Sequence, residues 1–169
     1  MPKVNRTPEI EPISFLTLAR QFYAASERIF EPPDYILSKP LYFLYFHALE
    51  LIFKAFLRSH NVTTRVLTTK TKGHDLVELY KDCRGHGFAI GPSDQFDIES
   101  VVKLLEKANK FQGIRYFNPD LKTLPSLSWT REVVQKVIQA VESRLEATGQ
   151  ATPLPASRLV LTFDMPREK

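Results

Sequence analysis

One stretch constrains this chain more than any other: LYFLYFHALELIFKAFL, residues 41 to 57. Its polar members are His47, Glu50 and Lys54, and Arg58 follows directly. On a helix of ~3.6 residues per turn, these four lie within one stripe roughly 80° wide. The remaining circumference is Leu, Ile, Phe, Tyr and Ala. A helix that apolar has to be wrapped by others. The stretch is therefore expected to be the central helix of an all-α domain, with its polar stripe facing water, a cleft or a partner. A membrane span is not expected. The run is shorter than the ~20 apolar residues a span needs, and charges near its centre are costly there.

The rest of the composition sets simple bounds. The 169 residues are 43% hydrophobic and 25% charged, ordinary for one soluble globular domain. The expected layout is a flexible N-terminus (1–10), a helical domain (11–149) and an irregular C-terminal tail (150–169). The net charge of +4 permits contact with nucleotide or RNA without predicting it. One cysteine, Cys83, excludes an internal disulfide and fits a cytoplasmic setting. The first residues, MPKVNRTPEIEP, lack the apolar core of a signal peptide.

Periodicity predicts about five helices. The first runs from about Glu11 to Phe30, with Pro12 in its first turn and Phe15, Leu18, Ala19, Phe22 and Ile29 as its apolar face. The second starts after Ser38 and ends near Arg58 to Asn61. The threonine-rich, basic segment 61–73 follows as a loop, or as a phosphate-facing loop through Arg65, Lys70 and Lys72. A short third helix, His74 to Cys83, buries Leu76, Leu79, Tyr80 and Cys83. A fourth begins after Gly91-Pro92, with Ser93 as its expected N-cap and Ile98, Val101, Val102, Leu105 and Ala108 as its core face. The last runs from about Ser128 to Ala147 on Trp129, Val133, Val137, Val141 and Leu145. The segment RLVLTF in the tail has strand composition.

Chemical signatures are sparse. The four histidines form no HExxH pair and the single cysteine forms no CxxC, so no metal site is expected. There is no glycine-rich phosphate loop and no nucleophile elbow, and no cofactor is expected. Cys83, on an apolar face, is expected to be a small buried hydrophobe. Glu50 and Lys54 form either a solvated helical pair or the charged lining of a cleft, and His47 on the same stripe inclines the reading towards a cleft. His74-Asp75 forms either a helix cap or, with exposed amides, an anion site. Arg115 and Tyr116 either fasten a turn or hold a phosphate and stack a base.

The run HALELIFKAFL (47–57), then KGHDLVELY (72–80), then IRYF (114–117), resembles the HEPN domain superfamily. The resemblance covers about residues 12 to 147 and implies a helical bundle, commonly a homodimer, that binds nucleotides or RNA. Some members are metal-independent ribonucleases with an arginine followed by a histidine after four to six intervening residues. None of His47, His60, His74 and His86 has an arginine at that spacing before it. The resemblance therefore implies a non-catalytic module that binds a nucleotide, RNA or a protein partner encoded nearby. Its candidate contacts are His47, Glu50, Lys54, Arg58, Lys72, His74, Asp75, Arg115 and Tyr116. The alternatives are a degenerate ribonuclease, with His47 or His74 as acid/base and Arg115 on the phosphate, and a toxin–antitoxin-like scaffold whose stripe is its interface.

Overall fold

The structure is a computed structural model that describes residues 8–30, 38–69, 73–110 and 123–150. Residues 151–169 of the C-terminal tail, RLVLTF among them, and Lys70, Lys72, Arg115 and Tyr116 lie outside the described residues. The described residues form six α-helices and no strand: α1 (Pro12–Ile29), α2 (Lys39–Ser59), α3 (Thr64–Leu67), α4 (Leu76–Gly85), α5 (Pro92–Asn109) and α6 (Leu127–Ala147). This is the all-α bundle expected, with one short helix more. That helix, α3, sits inside the segment expected to be a loop.

Helix α2 is the axis of the bundle and packs against α1, α4 and α6. From Ala48 to Leu57 every residue is buried, the two charged ones included. By length and composition α2 could cross a membrane, but 78% of its most apolar window is buried inside the bundle. Its apolar surface is already covered by protein.

Polar ties fix the directions of the helices. Arg20 pairs with Glu142, and Arg131 grips both oxygens of Glu27 at 2.6 to 3.0 Å, so α1 and α6 are antiparallel. The Tyr42 hydroxyl donates to the Pro125 carbonyl at 2.5 Å and Gln150 Nε2 to the Ser59 carbonyl at 3.3 Å. These ties join start to start and end to end, so α2 and α6 run parallel. The segment before α1 folds onto the end of α2. There Arg58 Nε donates to the Ile10 carbonyl at 2.8 Å, and Thr64 Oγ1 accepts from the Ile10 amide at 2.8 Å.

The helix boundaries follow local chemistry. Prolines occupy the first turns of α1, α2 and α5, where a missing N–H costs nothing. Helices α2, α4 and α6 share one ending, a Schellman closure. Val62, Phe88 and Gln150 donate to the carbonyls of Leu57, Cys83 and Leu145 at 2.8 to 3.1 Å. Each closure needs a left-handed residue, supplied by Asn61, Gly87 and Gly149.

Three expectations change. The cap of α5 is Gly91, and Ser93 lies inside the helix behind Pro92. The core face of α1 holds Phe15, Leu16, Ala19 and Ser26, while Leu18 and Ile29 are exposed. Leu18 lies one residue step, about 100°, from Ala19, which carries it out of a face that narrow. Ser38 is the N-cap residue of α2 by position, but its side chain makes no capping bond.

Leu49 is fully buried at the centre of α2. Leu49→Ala is expected to cost roughly 2–5 kcal/mol, and Leu18→Ala at the exposed position under about 0.5 kcal/mol. Urea unfolding of both variants measures the contrast.

Candidate functional site

Glu50 and Lys54 face one another across one turn of α2. Lys54 Nζ donates to Glu50 Oε1 at 2.7 Å, with both residues almost sealed, at 4% and 2% exposure. The pair is neither a solvated surface pair nor the open lining of a cleft. It lies inside the bundle, where each ion needs a partner to offset several kcal/mol of lost hydration.

The chain brings a second partner from outside α2. His74 Nδ1 stands 3.2 Å from the same Glu50 oxygen. An ionised carboxylate can only accept, so Nδ1–H donates and Nε2 faces away from Glu50. The His74 side chain is 62% exposed, whereas the carboxylate holding it is 2% exposed. Gly73 makes this approach feasible. A Cβ there would lie 2.7 Å from the carbonyl oxygens of Leu67 and Thr69.

His47 flanks the other side. Its Nδ1 lies 3.8 Å from Glu50 Oε2, too far for a hydrogen bond, and that oxygen has no hydrogen-bond partner among the described residues. The imidazole stacks on Phe43 and meets the edge of Phe22, with centroids 5.9 and 4.4 Å away. Burial pushes the Glu50 carboxyl upward. His47, Lys54 and His74 together outweigh that and hold it down at about 2.

Acids also close the start of α4. Asp75 Oδ1 accepts from the amides of Val77 and Glu78 at 3.0 and 3.1 Å. Glu106 Oε2, from α5, accepts from the Leu76 amide at 2.8 Å. Asp75 is thus a cap, and the amides at the start of α4 are already taken by carboxylates. Glu106 is only 5% exposed. Burial, with the charges of Asp75 and Glu50, raises its carboxyl above the ordinary value. Sequence reasoning missed this residue. A signal existed: it follows Ile98 and Val102 at four-residue steps on the core face of α5.

The nine candidate residues therefore separate. His47, Glu50, Lys54 and His74 converge. Arg58 belongs to another tie, bound to the Ile10 and Val62 carbonyls and 3.0 Å from Glu9. Cys83 is fully buried, its thiol facing the Phe53 carbonyl at 3.6 Å, and burial pushes the thiol pKa well up. It has the environment of an inert core residue. Among the described residues no group of three or more His, Cys, Asp or Glu is placed to hold a metal ion. No family model, curated protein or solved structure matches the chain.

Because the folded Glu50 value lies below the ordinary 4.5, ionised Glu50 favours the fold at every pH above about 4.5. That contribution is lost as pH falls from about 4.5 towards about 2. Glu106 has the opposite sign, its ionisation opposing the fold as pH rises. Glu50→Gln is expected to cost on the order of 3 kcal/mol at neutral pH, a deficit that shrinks towards zero as pH nears 2. Urea unfolding of both proteins across that range measures it. Glu50→Leu with Lys54→Met, which removes both charges, is expected to fold at least as stably as wild type.

Proposed function

We propose that the chain is a non-catalytic, HEPN-like helical module that binds a phosphate-bearing ligand, a nucleotide or RNA, through His74 and the basic segment around it. The observation that carries this is the mounting of His74: a mostly exposed ring held at Nδ1 by a sealed carboxylate, leaving Nε2 for an outside group. Glu50 and Lys54 serve as its foundation, and Arg65, exposed on α3, supplies positive charge from the basic segment 61–73. Binding rather than cleavage is favoured because phosphodiester transfer needs an acid and a base on opposite sides of the phosphate. His47, the only other imidazole at the site among the described residues, is wedged against Phe22 and Phe43. The HEPN resemblance adds a homodimer. An open groove on the outer side of α1, lined by Ile13, Thr17 and the exposed Leu18, is the face we assign to it.

His74→Ala and Arg65→Ala leave the buried pair in place, so both variants are expected to fold. Each is expected to weaken binding of a fluorescent single-stranded RNA about three- to tenfold, and binding should fall steeply with salt. A parallel thermal-shift panel of nucleotides separates mononucleotide from polymer recognition. Absence of binding in both assays, or RNA cut by metal-free protein, would overturn the proposal. Leu18→Arg is expected to convert dimer to monomer in sedimentation velocity.

A further inference from the structure

A second concavity lies between α4 and α5, away from the Glu50 pair. Its volume is 260 Å³, just under the roughly 300–1,000 Å³ of drug-sized ligand sites. The floor is apolar: Val77 and Tyr80 from α4 and Val102 from α5. The rim is charged: Lys81 and Arg84 stand one turn above the floor residues of α4, and Glu99 and Lys103 stand on α5.

The charges do not cancel. Lys103 Nζ is 2.5 Å from Glu99 Oε1, so the one rim carboxylate is already neutralised. Lys81, its side chain 74% exposed, has only a loose 3.8 Å approach to Glu78. Arg84 is steadied by one bond from Nη1 to the Phe88 carbonyl at 3.2 Å, which leaves most of its donors unspent. The floor adds a further polar group. Tyr80 is 94% buried by its 6% exposure, yet its hydroxyl has no hydrogen-bond partner among the described residues.

We propose that this groove binds a small organic anion with an apolar body, an aryl or branched-alkyl carboxylate. Its hydrocarbon part lies on Val77, Tyr80 and Val102, and its carboxylate meets Arg84 and Lys81. An uncharged hydrocarbon leaves the cations without a counterion. A bare inorganic anion leaves the apolar floor uncovered, and the first-turn amides of α4 at Val77 and Glu78 are already bound by Asp75. The volume suits one or two rings rather than a peptide. This site does not depend on the phosphate reading of His74.

The test is an NMR titration of the full chain with naphthoate, naphthamide and inorganic phosphate. Naphthoate should produce saturable shifts in the amides of Val77, Lys81 and Val102, and the uncharged amide should bind about tenfold more weakly or worse. Lys81→Glu, at an exposed position that cannot unfold the bundle, should weaken naphthoate about two- to tenfold. Arg84→Glu should do at least as much, and Val77→Trp should abolish binding by filling the floor while helical circular dichroism is retained. Equal affinity for acid and amide, the same shifts with phosphate alone, or no saturable shift would overturn the proposal.

Discussion

Removing Glu50 and Lys54 from water is the constraint to which the rest of the bundle conforms. Neither ion can be buried alone, because an unpaired charge in such a place costs several kcal/mol. Spacing four apart on one helix solves half of the problem, since the pair can form as soon as α2 does. The surrounding helices then need to supply only what the pair lacks. His74 supplies a donor to Glu50 Oε1, and the close pass of the Gly73 backbone over the end of α3 delivers it. The short helix α3 is thus part of the support for the site rather than decoration of a loop.

The same junction holds three carboxylates within a few residues of chain contact. Glu50 takes His74, Asp75 takes the amides of its own helix, and Glu106 takes the amide between them. Together they join α2, α4 and α5 at one point. The amides at the start of α4 are already bound by carboxylates, while the His74 ring beside them stays 62% exposed.

Much of this was legible in residue order. The run from 41 to 57 announced a central helix wrapped by others, and Leu76, Leu79, Tyr80 and Cys83 all reach the core as their spacing implied. So do Val133, Val137, Val141 and Leu145 on α6. What periodicity does not carry is the width of a buried face. It admitted Leu18 and Ile29 to the core of α1, which is narrower than that. It placed a polar stripe on α2 but not its depth, because depth is set by the turn at 73–75, which comes from elsewhere in the chain. Glu106 was passed over because a carboxylate on an apolar face makes sense only once the Leu76 amide is seen waiting for it.

The shared endings of α2, α4 and α6 have an electrical result. The rings of His60 and His86, the two C-cap residues, lie 5.9 Å apart, and Arg144 of α6 reaches His60 Nε2 at 3.5 Å. Three helix C-termini therefore gather at one end of the bundle, each bringing a partial charge equivalent to roughly −0.5. The imidazoles answer it locally, with Nδ1 of His60 and His86 turned to the Phe56 and Asp82 carbonyls at 2.9 and 2.8 Å. His74 stands at the other end of α4. The end of the bundle at His60 and His86 is thus a cation-seeking pole, whereas at the start of α4 the last turn of α5 arrives from the opposite direction, with Glu106 on the Leu76 amide.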